Sequence, residues 1–558
     1  MPLSILIWLP AAAALIGALA AAVTGRREGG GASLPGRVAL VGTMGALGIA
    51  IGEIASFDVH HKGLSEVTDV TWIAALGIHY KLGIDGLNLF LVALTTLLFA
   101  AAILAANRRR WERPGSFFFF MGLAESGVLG AFLAQDLALF VAFFDLMLIP
   151  FYFLTGIWGG PGRVAATTKL VIYTLVGSLL MLAAAIATAV LSSSQTGRPL
   201  SFVLSDLQHA GAAAGVGGAG LSSSSQDWIF LFFAAAFLVK MPAFPLHGWM
   251  PDGYRAMPTE ALAVFSGVLS KVGAYGFLRI VLPLFPRAST HFQTLILVIA
   301  LLSILYGSAM AFTQTNARLI VGYSSVAQLG FITLGIFALR PEGAQGALLQ
   351  MVNHGLVVAP LFLIIGLLAA RAGGSEDIRD MGGMAFRAPV LAAIFLIVAL
   401  ATLAMPGSSN FAGEFLILLG VFRAKIVFAI VAFAGVVLAS VYMLRMFIRT
   451  MHNRTGPRVT SRDLGVGDAI VLVPLVAVIL FFAVYPQLAL HRSEPATVAA
   501  IAPARGLVSP ASASASNALV PVNGPVVVRR RSRGNTIVVR RGVFGGSARG
   551  VRGGATAR

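Results

Sequence analysis

The chain has 558 residues, of which 58% are hydrophobic and 11% charged, and its mean hydropathy is +0.87. A soluble domain carries about a quarter charged residues and a porin-like barrel alternates apolar and polar residues with period two, so both classes are excluded. With no cysteine, disulfides, thiolate zinc sites and iron–sulfur ligation by this chain are ruled out, and the net charge of +18 reads as basic membrane loops rather than a nucleic-acid surface.

Apolar runs long enough to cross a bilayer as helices are expected at 3–23, 38–56, 84–106, 116–134, 136–157, 168–191, 228–247, 258–284, 291–312, 318–338, 345–370, 388–421, 426–448 and 468–490. The segment from Met1 lacks a basic start and runs straight into the first span, so no cleavable leader is expected. Alternate loops hold Arg26, Arg27 and Arg37, then Arg108, Arg109, Arg110 and Arg113, then Arg163, Arg255 and Arg318. The same set continues with Arg371, Arg379, Arg387, Arg449, Arg454, Arg458 and Arg462. The other loops are poorer in base and include the acidic 52–69 stretch. By the positive-inside rule the first set is cytoplasmic, which puts both termini on the outer face. Residues 491–558 are rich in Ala, Gly, Ser, Pro and Arg, lack a spanning run, and read as a disordered tail with no role beyond weak attraction to anionic lipid or a neighbouring subunit.

Ionisable residues inside a membrane cost several kcal/mol each and mark function by default. They are Glu125 in the fourth span, Asp145 in the fifth, Lys240 in the seventh, Lys271 in the eighth, His354 in the eleventh and Glu414 in the twelfth. His247, beside the seventh span, is a further candidate. Lys169 and Arg445 are near enough to helix ends to snorkel, and Asp85, Asp136 and Asp252 suit caps or the interface. That bland reading fits Lys240 and Lys271 poorly, since both lie well inside apolar runs, whereas His354 suits a neutral core histidine almost as well.

The seventh span reads FLVKMPAFPLHGW, with Pro242 and Pro245, and the twelfth reads LATLAMPGSSNFAGEF, with Pro406 and Gly407. Proline frees a backbone carbonyl, which lipid tolerates only where protein or water satisfies it. The two breaks lie about 165 residues apart, in corresponding places of spans 4–8 and 9–13, a pattern that points to an internal repeat with a midplane site. The expected organisation is an all-α polytopic membrane protein of about 14 spans with two inverted five-helix repeats. Its parts are 1–115, repeats 116–284 and 291–448, a last helix in 449–490 and the tail 491–558. A lysine desolvated in the bilayer and re-charged by a neighbouring carboxylate is a proton switch. Asp145 with Lys240, Lys271 as relay and Glu414 as outward acid fit that chemistry.

These same residues lie in FFDLMLIPFYFL (143–154), the long stretch VKMPAFPLHGWMPDGYRAMPTEALAVFSGVLSKVGAYGFLR (239–279), QTNARLIVGYSSVAQLGF (314–331), QGALLQMVNHGL (345–356), RDMGGM (379–384) and MPGSSNFAGEF (405–415). Over residues 75–450 the chain resembles the M-type antiporter-like subunit family of proton-pumping NADH–quinone oxidoreductase, respiratory complex I. The resemblance implies proton-transfer roles for Asp145, Lys240, Lys271, His354 and Glu414, with Glu125 and His247 as further candidates. Glu414 separates the M-type from L-, N- and Mrp-type relatives, which generally carry lysine there. Two positions depart from the family pattern. Asp145 replaces the usual glutamate and is one methylene shorter, so a bridging water or Glu125 would have to restore coupling to Lys240. Gln328 stands where histidine is frequent and cannot take up a proton near neutral pH.

The resemblance further implies a translocase subunit in a bacterial inner (plasma) membrane, without a redox centre, cofactor or metal of its own. Flavin, iron–sulfur clusters and quinone belong to partner subunits. The implied neighbours are the L-type and N-type antiporter-like subunits, the lateral helix of the L-type subunit, and lipid, with no nucleic acid. An Mrp-type cation–proton antiporter or a hydrogenase-linked membrane module is the competing class.

Overall fold

In lipid every backbone N–H and C=O needs an internal partner, and an apolar run satisfies that only as a helix. The computed structural model describes residues 2–24, 33–59, 63–213, 218–460 and 462–508. It places helices at Pro2–Thr24 (α1), Leu34–Ser56 (α2), Leu89–Ala106 (α3), Pro114–Leu133 (α4), Leu137–Trp158 (α5) and Arg163–Thr196 (α6). Then come Ser223–Lys240 (α7), Thr259–Leu284 (α8), Gln293–Thr313 (α9), Ala317–Phe337 (α10) and Pro341–Arg371 (α11). The twelfth element (α12) has two halves, Pro389–Thr402 and Ser409–Ala424, and Ile426–Met451 (α13) and Val466–Val484 (α14) follow. Among the described residues twelve helices are long and apolar enough to cross a membrane. The two expected spans outside that set are α7 and α12, the two that carry the proline breaks.

Loops bond within one face of the bundle. On one face Trp8 reaches Tyr80 (3.3 Å), and the Gln135, Leu137 and Ala219 amides donate to the Lys81, Phe202 and Leu284 carbonyls. On the other, the Gly160, Ala317, Ala385 and Thr460 amides donate to the Ala256, Glu376, Met451 and Arg371 carbonyls. This sorting is that of a chain crossing 14 times, with the basic loops together on the second face. The first face carries an antiparallel hairpin that the all-helical reading did not include, Ser65–Ile73 (β1) and Ile78–Ile84 (β2). The third span accordingly starts at Leu89 rather than 84. Gly77 turns the hairpin with φ +62°, and a side chain there would strike the Leu200 carbonyl.

The tail boundary is corrected. Residues 491–508 are helical, as part of Gln487–Val508 (α15), which packs against α11 and the end of α8. Its buried face is Ala489, Ser493, Thr497, Ala500, Ile501 and Ala504, side chains at helical spacing that are small apart from Ile501 and whose low overall hydropathy mimics a linker. Residues 509–558, the rest of the expected tail, lie outside the described residues.

The centre of the bundle is formed by α8, α10 and α11. Their most apolar stretches are 100%, 100% and 89% buried, against about a third for α2, α13 and α14. These central helices present Lys271, Gln328 and His354, so the ionisable row runs through the best-packed part of the molecule. At the basic-loop face Lys169 pairs with Asp252 (2.9 Å) rather than simply snorkelling, and Arg445 donates to the Phe312 and Gln314 carbonyls. Asp136 caps α5, accepting from the Ala138 and Leu139 amides. Asp463, from the α13–α14 loop, accepts from the Val390 and Leu391 amides at the start of α12. Burial pushes its carboxyl up, but those amides, Leu464 N–H and Arg371 outweigh that and hold it below its ordinary value.

Arg318, expected only as one of the basic loop residues, is buried. It donates to the Tyr254 and Met257 carbonyls (3.2 and 2.6 Å), to Thr259 Oγ1 (3.1 Å) and to Glu376 (2.5 Å). Removing one partner of such a pair strands the other, at a cost of about 3 kcal/mol. Arg318→Ala is therefore expected to lower the thermal unfolding midpoint in detergent, and an unchanged midpoint would refute the clamp.

Candidate functional site

The fifth span is interrupted at Met147, between Leu137–Leu146 and Leu148–Trp158. Pro150 lacks the N–H that would serve the carbonyl four residues back, so the ladder is weakened there. Asp145 lies just before the interruption. Opposite it, α7 ends at Lys240 and the chain turns through Pro242 and Pro245 before Met250–Ala256 resumes as helix. Lys240 is 4% exposed. Its Nζ donates to the Phe144 carbonyl (3.4 Å) and lies 4.4 Å from the centre of the Phe144 ring. Its place in the last turn of α7 also puts the ammonium at the negative end of the helix dipole.

Asp145 acts on Lys240 electrostatically, yet its Oδ1 is buried without a hydrogen-bond partner. The lysine is held by the carbonyl and ring of the preceding residue, Phe144, instead of by the carboxylate. Glu125 is fully buried; its Oε2 accepts from Thr43 Oγ1 of α2 (2.7 Å), while its Oε1 has no protein partner.

Lys271 sits between two π-helical turns, Phe265–Leu269 and Phe277–Val281. Such widened turns loosen the backbone ladder and recur at functional sites. Here the Ser266 carbonyl accepts Lys271 Nζ at 2.6 Å, and Ser270 Oγ lies 3.2 Å from the same nitrogen. Ser266 Oγ meets Ser325 Oγ of α10 at 3.4 Å. His354 on α11 is 3% exposed and close enough to feel the Lys271 charge, and its Nδ1 has no protein partner.

The α12 break leaves Glu414 in the second turn of the second half, 4% exposed. Gln328 Nε2 donates to Glu414 Oε1 (2.8 Å), while Gln350 Nε2 donates to Gln328 Oε1 (2.9 Å) and to Glu414 Oε1 (3.3 Å). Ser324 on α10 bonds Tyr442 of α13 at 2.9 Å. Glycine allows this approach of α11 and α12: a Cβ on Gly413 would lie 2.5 Å from Gln350 Oε1. Asn353 Nδ2 donates to the Ser409 carbonyl (2.6 Å), and buried atoms of Gln350, Asn353, Ser409 and Asn410 have no protein partner.

The structure thus gathers Asp145 with Lys240, Lys271 with His354, and Glu414 with an amide pair, on helices that touch one another. His247 lies off these three groups, buried against Phe244 (5.8 Å), Tyr306 (4.9 Å) and Tyr323 (6.2 Å), with its Nδ1 lacking a protein partner. Gln350, Ser324, Ser325 and Tyr442 were not singled out from the sequence. Their signal was present for α10, where Ser324, Ser325 and Gln328 fall at helical spacing on one face of an otherwise apolar span. Among the described residues no group of three or more His, Asp or Glu converges as a metal site.

A family model described as NADH:quinone oxidoreductase/Mrp antiporter, transmembrane, matches residues 134–440. NADH-quinone oxidoreductase subunit M of Rhodobacter capsulatus is 36% identical over 87% of this chain and 93% of its own length. A chain of respiratory complex I from Thermus thermophilus, solved with bound NADH, superposes with a TM-score of 0.79 at 31% identity, over 90% of this chain and 100% of that one. A chain of the Mrp complex from Dietzia sp. superposes with a TM-score of 0.75 at 21% identity, over 91% and 99%, which shows a shared fold alone. Broken helices, buried ionisable row and these likenesses agree: the chain belongs to the NADH:quinone oxidoreductase/Mrp antiporter transmembrane family, among the NADH-quinone oxidoreductase M subunits.

Proposed function

We infer that this chain is a proton-translocating subunit of the membrane arm of NADH–quinone oxidoreductase, passing protons along a mid-membrane row of Asp145, Lys240, Lys271, His354 and Glu414. The observation that carries the reading is that Lys240, Lys271 and Glu414, all buried, each stand at or beside a helix interruption. A scaffold has no use for charges kept in lipid at several kcal/mol each.

The geometry suggests how the row works. Lys240 rests on the Phe144 carbonyl, one residue from Asp145 on the interrupted α5. A small movement at the paired breaks brings the ammonium to the carboxylate, which favours its charged form, and return to the carbonyl and ring favours release. Lys271 relays toward α10 through Ser266 and Ser325 and toward α11 through His354. Glu414 completes the row, with its carboxylate set by the Gln328–Gln350 pair. The buried polar atoms without protein partners around Asn353 and Asn410 suit bridging water. Gln328 orders this end of the row, and the proton itself rides on Glu414.

The two broken helices occupy corresponding places in 116–284 and 291–448, which supports the inverted-repeat organisation. Drive comes from electron transfer in other subunits, which carry the flavin, clusters and quinone, since the chain has no cysteine for cluster ligation. Adjoining L- and N-type subunits and the lateral helix of the L-type subunit complete the arm. The membrane is the bacterial inner membrane, with the basic loops inside and both termini outside.

Extraction in mild detergent is expected to recover flavin and iron–sulfur subunits together with inhibitor-sensitive NADH oxidation by a quinone analogue. Recovery of membrane antiporter subunits alone, without redox activity, would move the chain to the ion-exchange class. Lys240→Ala and Glu414→Ala are expected to assemble yet lose most NADH-driven acidification of vesicles. Normal pumping by an assembled Lys240→Ala complex would remove that residue from the row. Gln350→Leu deletes a donor to a charged group, about 1.5 kcal/mol, and is expected to slow pumping about tenfold while Gln328→His stays near the parent rate. Pumping rate per NADH oxidised reads the difference, and equal rates in Gln350→Leu and parent would discard the amide pair.

A further inference from the structure

Beyond the row lies a buried ion pair that it does not use. Arg279 on α8 donates Nη2–H to Asp85 Oδ1 (2.5 Å) and Nε–H to the Tyr275 hydroxyl (2.9 Å). That hydroxyl in turn donates to the Phe132 carbonyl at 2.9 Å, which also accepts from Asn88 Nδ2 at 2.9 Å, and Asn88 Oδ1 accepts from the Asp85 amide (2.9 Å). The result is a closed polar ring joining α3, α4 and α8. Asn88 and Tyr275 are wholly buried, and the side chains of Asp85 and Arg279 are only 11% and 12% exposed.

On one side of this ring is a cavity of ≈ 700 Å³ on the hairpin face, between the hairpin, the helix Leu204–Ala213 and α15. Asp85, Arg279, Lys81 and Arg492 line it, and along α8 its lining begins at Leu278 and Arg279. On the other side is Lys271. Lys271, Tyr275 and Arg279 follow one another at four-residue spacing, on one stripe of α8, so Lys271 and Arg279 are about 12 Å apart along the axis. The face of the molecule opposite the basic loops therefore holds an open chamber two turns from the central lysine, and this ring lies between them along α8.

We propose that Arg279, anchored by Asp85 and Tyr275, is an electrostatic seal that keeps protons in the hairpin-face cavity from returning to Lys271. The inference rests on proton transport through Lys271. A proton moving inward from the cavity meets a guanidinium, which cannot be deprotonated and has no lone pair to accept it. Asp85 offsets that charge on the cavity side, but the positive end of the pair faces Tyr275. The hydroxyl is no relay either, because its proton is committed to the Phe132 carbonyl and its oxygen to Arg279. Fixed arginines serve this purpose in other membrane pores, where they exclude protons and cations. A purely structural pair would instead matter through its hydrogen bonds, whereas here Asp85 and Tyr275 position the Arg279 charge.

The test uses the whole complex in proteoliposomes with an imposed pH gradient and no NADH. Arg279→Gln is expected to dissipate the gradient several-fold faster than the parent. Arg279→Lys, which keeps the charge but loses the fork, is expected to leak at the parent rate. Should the single variant fail to assemble, Asp85→Asn combined with Arg279→Gln removes both charges while keeping hydrogen-bonding partners, and it too is expected to leak. Parent-rate leak in every assembled neutral variant would overturn the seal, as would equal leak in Arg279→Lys and Arg279→Gln. NADH-driven acidification by the parent in the same vesicles reports separately on proton transport, so loss of that reading is distinguishable from loss of the seal.

Discussion

A helix in lipid can lose a backbone hydrogen bond only where another group meets the freed carbonyl, and this chain meets that demand with its charged side chains. The Phe144 carbonyl beside the α5 interruption takes Lys240, and the Ser266 carbonyl in a widened turn of α8 takes Lys271. Each lysine needs polar company to remain in the bilayer, and each irregular turn needs a donor. Backbone defect and buried cation therefore stabilise one another. Proline and π-turns fix where charge can sit along the bundle axis, and close packing of α8, α10 and α11 fixes how the sites line up across it.

The same constraint explains the shorter acid at 145. A glutamate at this position would extend further, whereas Asp145 stops short of a hydrogen bond and leaves Lys240 on the carbonyl next door. The pair is thus not a tight salt bridge in this conformation, and the exchange of partners proposed for Lys240 would have no such bridge to break. Glu125, offered by sequence as a substitute, has one oxygen bonded to Thr43 and the other without a protein partner, on a helix that packs against α1 and α2 as well as α5.

Most of the spans and the ionisable row were legible in the sequence, because hydropathy, proline and charge in an apolar run are all local signals. The breaks in α7 and α12 were read correctly from Pro242, Pro245 and Pro406. The π-turns around Lys271 were not, since no proline or glycine pair announces them in FSGVLSKVGAYGFLR. The hairpin was missed although EVTDVTWI is rich in the β-branched and aromatic residues that favour strands, because a search for long apolar runs passes over short polar strands. The α15 helix was missed for a different reason: alanine, serine and threonine make a packing face only when a partner surface supplies the fit. Gln350 and Tyr442 reach the site from α11 and α13, and contacts of that kind across many residues of sequence have no local signature.

The amide pair beside Glu414 has one more consequence. Both N–H groups converge on a single carboxylate oxygen, Oε1. An incoming proton finds that atom already surrounded by donors, so binding there would force hydrogen against hydrogen. The other oxygen, Oε2, receives neither amide, so protonation of this carboxyl group is favoured at that atom. Glu414 thereby has one anchored oxygen and one that is not, and the two ends of its carboxyl group are no longer equivalent. A symmetric functional group is made asymmetric by its neighbours, and in the proposed proton row that asymmetry would set a preferred side of approach.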